Sequence, residues 1–168
     1  MEIRTRNLII WSSAFLAAFL LSLILFLVNP DRTERYVLFF PSEITREWTG
    51  EARDIYHTGD TEESVRVLLK ELALGPIGLR LDETVPKGTR IRAVLLRDNT
   101  LYLDFTAHLA EPGRQLSFPE MLAGIRKTVL YNFPSIENVV IYVEGAPTDA
   151  YLEAKKIKSS LTKQKDSL

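Results

Sequence analysis

The sequence predicts an α+β fold: an N-terminal transmembrane helix followed by one small two-layer domain, a mixed sheet of about five strands with two helices on one face. Three observations carry it. Leu8 to Val28 is an apolar run without a charge, about the 20 residues that a helix needs to cross a bilayer. Two later stretches, opening at Asp60 and Ser117, repeat apolar residues at helical spacing behind capping residues. Between them, Asp98-Asn99 separates two β-rich runs, and both residues tolerate the positive φ of a two-residue hairpin turn.

Composition narrows the function classes. A formal net charge of −1 in 168 residues, with no long basic run, argues against a nucleic-acid surface, which needs a concentrated Lys/Arg footprint. The chain has no cysteine, so disulfides, thiolate metal sites and a lipidated cysteine anchor are excluded.

Taken in order, residues 1–7 form a short cytoplasmic tail and 8–28 an uncleaved anchor. The anchor is longer than the apolar region of a signal peptide and runs into Asn29-Pro30-Asp31-Arg32. Arg4 and Arg6 before it are matched by Arg32 and Arg35 after it, so the positive-inside count leaves orientation open. The short tail favours N-terminus in, which makes this a single-pass protein of the cytoplasmic membrane with its domain extracytoplasmic. Residues 29–35 read as a tether and 36–145 as the domain.

Tyr36 to Phe40 is a β-rich run halted by Pro41, and Glu51 to His57 a weaker strand after a turn at Thr49-Gly50. Asp60 and Glu63 then open a helix whose Val65, Leu68, Leu69 and Leu72 share a face, with Gly75-Pro76 as the stop. Leu79 to Val85 is irregular and feeds the hairpin through Pro86 and Gly88. With Arg97 opposite Thr100, Val94, Leu96, Leu101, Leu103 and Phe105 face the core, while Leu95 and Tyr102 pair on the other side. Ser117 and Glu120 cap a second helix with Pro119 in its first turn and a stripe of Leu122, Ile125, Val129 and Phe133. Gly124 within it costs about 1 kcal/mol relative to Ala, which close packing against a neighbour would explain. Val139 to Val143 is an inner strand. Residues 146–168 form a polar, basic tail, partly helical or disordered, in which Lys155, Lys156 and Lys158 are interspersed with acidic residues and read as a solvated face.

Chemistry is sparse. His57 and His108 lie at a strand end and in a loop without a catalytic motif beside them, and read as surface histidines. Asp104 reads as a structural acceptor for backbone N–H groups in the following turn. Asp82-Glu83 and Glu62-Glu63 are accounted for by solvation and the helix dipole. No catalytic residue, cofactor or metal site is expected.

Several of these segments resemble the sporulation and spore germination GerM-type domain. The helix ending Leu72-Ala73-Leu74-Gly75-Pro76 is similar to the family's leucine-rich helix closing on Gly-Pro, and Val85-Pro86-Lys87-Gly88-Thr89 to its Pro-x-Gly-Thr segment. Leu103-Asp104-Phe105-Thr106 resembles its Val-Asp-Leu-Ser strand end. Thr128 and the run ending Val143-Glu144-Gly145 resemble its final helix and strand. The resemblance covers roughly Tyr36 to Gly145. It implies a small α+β unit anchored outside the cytoplasmic membrane, not known as an enzyme, one relative being tied to a ring-forming envelope channel during sporulation. The chain departs from the pattern in having one such domain and Asp98-Asn99 where Asp-Gly is usual.

The expected function is therefore a membrane-anchored, non-catalytic envelope protein that binds another envelope protein or itself, with the lipid bilayer as the partner of its N-terminal helix. Two helices cover one side of a small sheet, which leaves Leu95, Tyr102, Val140 and Tyr142 on the other as the candidate partner contact. The first strands or the C-terminal tail are the competing covers for that face. The alternative function is a cell-wall glycan-binding module using Trp48 and Tyr56, and a hydrolase is a distant third.

Overall fold

The structure, a computed structural model, describes residues 2–28, 33–111 and 116–150. It divides into two units, Met1–Arg32 and Thr33–Leu168. In the first, α1 spans Glu2–Val28, with side chains described for 11–25 and 27. Among the described residues, no helix is long and apolar enough to cross a membrane.

The second unit begins with the hairpin β1 (Thr33–Pro41) and β2 (Trp48–Tyr56), paired antiparallel along both strands. β1 starts inside the stretch expected to be a tether, and Thr49 and Gly50, expected in a turn, pair with Phe40 and Phe39. Helix α2 (Thr61–Leu74) follows, its first turn held by the Asp60 carboxylate, which accepts from the Glu63 N–H at 3.0 Å. Its end falls at Gly75, whose φ of 88° is the left-handed region glycine favours. Val65, Leu68, Leu69 and Leu72 are buried, as their spacing predicts.

The central hairpin, β3 (Ile91–Arg97) and β4 (Thr100–Phe105), keeps the predicted register: Arg97 faces Thr100, Leu96 Leu101, Leu95 Tyr102 and Val94 Leu103. Asp98 and Asn99 both take positive φ, at 48° and 58°. A short 3-10 helix, Ala107–Ala110, and α3 (Phe118–Asn132) carry the chain across to β5 (Asn138–Val143). β5 lies parallel to β4, an arrangement that needs such a crossover. The Glu120 carboxylate accepts from the Ser117 N–H at 2.7 Å, the reciprocal half of the expected capping box. β6 (Ala146–Pro147) turns back on β5, so ordered structure runs past residue 145.

Among the described residues the strands number six and form two sheets, β1-β2 and β3-β4-β5-β6, where the sequence predicts one sheet of about five. The reason lies at the outer edge of β1. Asn132 on α3 accepts from the Val37 N–H at 2.8 Å and donates to the Val37 carbonyl at 2.7 Å. The Thr128 hydroxyl accepts from the Phe39 N–H at 3.3 Å, and that of Thr84 donates to the Phe39 carbonyl at 2.7 Å. Side chains occupy the positions a neighbouring strand would take, so β1 cannot join the larger sheet. Both sheets nevertheless share one core: Tyr36, Leu38, Phe40 and Ile55 are buried in the same cluster as the inward residues of α2, α3, β4 and β5.

Gly124 is buried at the α3 contact, where an added Cβ would come within 2.5 Å of both Thr84 Cγ2 and Trp48 Cη2. Helix propensity favours Ala at an interior position by about 1 kcal/mol, but overpacking costs about 1–3 kcal/mol. Gly124→Ala is therefore expected to lower the urea midpoint of unfolding. An unchanged or raised midpoint would show that Trp48 and Thr84 move aside freely.

Candidate interaction face

Alternation along the strands separates two faces of the four-stranded sheet. Val94, Leu101, Leu103, Phe105, Val139, Ile141 and Val143 are buried toward the helices. Odd numbering in β4 and β5 thus faces in, and Tyr102, Val140 and Tyr142 face out, half-buried. Leu95 pairs with Tyr102 and Tyr102 with Val140, giving one continuous apolar row across β3, β4 and β5. Leu95 is 53% exposed at its end. Tyr142 lies beside Asp104 in the next row. The geometry brings all four predicted residues onto one face. The first strands are not its cover, because the β1-β2 hairpin packs on α2 and α3; the tail, 151–168, lies outside the described residues.

Polar groups frame this face. Asp104 Oδ1 accepts from the Gly145 N–H at 2.9 Å, and Oδ2 lies 3.5 Å from the Arg92 guanidinium. Its turn is therefore the one after β5, not the one following its own strand. Glu144 and Gly145 take positive φ there, and the Glu144 carboxylate receives Arg92 at 2.9 Å and the Ala107 N–H at 2.9 Å. On the β3 edge, the Glu62 carboxylate accepts from the Leu96 N–H at 2.8 Å. Glu62 thus does more than offset a helix dipole: it satisfies a backbone donor on an edge strand.

His57 is not a free surface histidine. Its Nδ1 lies 2.8 Å from the Tyr36 hydroxyl, 3.3 Å from the Glu34 carboxylate and 3.4 Å from the Ser64 hydroxyl. Burial, then the neighbouring Glu34 charge, raises the Tyr36 phenol above its ordinary value. Ser, His and Glu meet here, but through one ring nitrogen, and Ser64 is 1% exposed. A nucleophilic triad needs the base to face the serine with one nitrogen and the carboxylate with the other. His108 is exposed and rests against Gly88, beside a shallow depression also lined by Arg90, Thr106 and Glu144. Among the described residues, no group of His, Cys, Asp or Glu could hold a metal ion.

The two aromatics considered for glycan binding stand at opposite ends of β2. Trp48 is half-buried with its ring at Gly124, while Tyr56 is 54% exposed. Sequence reasoning also missed two apolar loop tips, Ile44 and Ile77-Gly78-Leu79, on segments joined by the Glu43 N–H to the Arg80 carbonyl at 3.0 Å. Leu79 is 95% exposed; its place between two loop-forming glycine segments was the available signal.

Two helices on one face of a small mixed sheet, with a separate N-terminal hairpin sharing the core, define a small α+β module. The fold matches the first GerMN domain of the sporulation protein GerM from Bacillus subtilis, with a TM-score of 0.54 at 14% identity, over 68% of this chain and 86% of that one. The tandem GerMN domains of the same protein match equally, at TM-score 0.54 and 14% identity, over 69% of this chain and 41% of that one. None of the curated proteins matches the chain. The family model of the Germane domain, described as sporulation and spore germination, matches residues 25–149. The chain belongs to that family.

Proposed function

We propose that this is a membrane-anchored, extracytoplasmic and non-catalytic member of its family, whose domain binds another envelope protein through the sheet face of Leu95, Tyr102, Val140 and Tyr142. The observation that carries the reading is the unbroken row Leu95–Tyr102–Val140, with an exposed leucine at its end. Tyrosines combine apolar area with a polar tip and are favoured at interfaces. The uncharged run Leu8 to Val28 supports an anchor.

Leu95→Glu combined with Tyr102→Lys places two charges on this face without touching the helix-facing core. Proximity labelling in the source cells is expected to lose its main protein neighbour while the variant's circular dichroism stays that of the parent. Unchanged labelling by a folded variant would overturn the assignment of this face. Saturable sedimentation with purified peptidoglycan would instead favour glycan binding. A reporter active only outside the cytoplasm, fused after Gly145, is expected to be active; a stable but inactive fusion would reverse the orientation.

A further inference from the structure

The edge of β2 is set by its partner. Directly opposed residues in an antiparallel pair alternate between exchanging hydrogen bonds with each other and turning their backbone groups outward. Val37 and Phe39 give their N–H and C=O groups to Asn132, Thr128 and Thr84, so they face away from β2. Their partners Ala52 and Gly50 must face away from β1, and Asp54 and Tyr56 follow by alternation. All four are exposed. Among the described residues, β2 pairs with β1 alone, leaving a row of outward donors and acceptors fit for another strand.

The side chains specify which strand. Pairing β2 antiparallel with its own copy requires outward residues to meet outward residues, which restricts the register. A twofold axis at Glu51, Arg53 or Asp54 sets that residue against its own copy, and opposed like charges destabilise strand pairs. Centring on Gly50 or Ile55 avoids this but overlaps only one end of the strand. Centring on Ala52 pairs the whole of Trp48–Tyr56. The Glu51–Arg53 ion pair of one copy then meets that of the other head to tail, so each carboxylate stands opposite a guanidinium. Gly50 leaves room for Asp54, and Ala52 meets itself.

We propose that two copies of this chain associate by antiparallel pairing of β2 with β2, centred on Ala52, extending each two-stranded sheet into one of four strands. The contact is isologous and separate from the sheet face assigned above.

The test uses the full chain in detergent micelles. The chain has no cysteine, so an introduced one is its sole thiol. Ala52→Cys puts the two sulfur-bearing residues in a hydrogen-bonded pair about 5.5 Å apart between Cα atoms, within disulfide reach. Tyr56→Cys puts them about 26 Å apart at the strand rise. Mild oxidation is expected to cross-link Ala52→Cys at least about tenfold faster, given that difference in reach. Ala52→Pro removes an outward N–H while leaving the β1 ladder intact, and is expected to convert the sedimenting dimer to monomer. A parent that is monomeric throughout a concentration series overturns the proposal. So does cross-linking of Tyr56→Cys as fast as Ala52→Cys, or a dimer that survives Ala52→Pro. Leu95→Glu with Tyr102→Lys is expected to leave Ala52→Cys cross-linking unchanged, which separates failure of this contact from failure of the sheet-face reading.

Discussion

Arg53→Ala is expected to lower the domain's stability by about 3–5 kcal/mol, the usual cost of removing one member of a buried ion pair. The Arg53 side chain is only 9% exposed and that of Glu51 15%. The guanidinium bonds Glu51, the Glu71 carboxylate at 3.1 Å and the Gly75 carbonyl at 2.7 Å, and lies 5.6 Å from the centre of the Phe40 ring. The Glu51 carboxylate also accepts from the N–H groups of Ile77 at 3.1 Å and Gly78 at 2.8 Å. This cluster ties β2 to the end of α2 and to the loop beyond it, and without Arg53 it leaves a buried carboxylate unpaired. Urea unfolding followed by Trp48 fluorescence in a Trp11→Phe background measures the change. A loss below about 1 kcal/mol, the range of an exposed pair, would show the cluster to be solvated.

The same cluster has a pH signature. Burial opposes ionisation of Glu51, but the Gly78 N–H, the Arg53 guanidinium and the Ile77 N–H outweigh it and hold the carboxyl below its ordinary value. The folded value lies below the unfolded one, so this contribution is complete above the unfolded value near 4.5 and is lost as pH falls through the folded value. Arg53→Ala should flatten that acid limb.

Phe40→Ala is expected to cost about 3–5 kcal/mol, the range for a buried Phe truncation. Phe40 is fully buried and sits on the small sheet, yet it belongs to the cluster that includes Leu103 on β4 and Ile141 on β5. Hydrogen exchange should therefore accelerate in β4 and β5 as well as in the hairpin. Acceleration confined to β1 and β2 would mean that the two sheets unfold independently.

The central hairpin was legible because its turn needs two residues tolerant of positive φ and its period-2 pattern then permits one register. The helices were legible through Asp60, Ser117 and their apolar spacing. The division into two sheets was not, because it rests on Asn132, Thr128 and Thr84, polar residues that satisfy a strand edge distant in sequence and carry no periodic signal. β2 read as weak because its buried face bears Glu51 and Arg53 beside Ile55, and alternation counts a buried ion pair as solvent-facing. The candidate face was found because the hairpin register fixes which side of β4 each residue occupies. The β2 edge was hidden because it depends on which backbone groups β1 leaves free.

The bonds between Asn132 and Val37 close a separation of 95 residues in the chain. A ribosome delivers the hairpin long before α3, at about 5–20 residues per second. Throughout that interval β1 has no Asn132 or Thr128 to occupy its outer edge, and a nascent hairpin with two open edges is exposed to pairing with other chains. Completion of the edge waits on one of the last elements made, so a chain truncated before α3 should be bound by holdase chaperones until the remainder is synthesised.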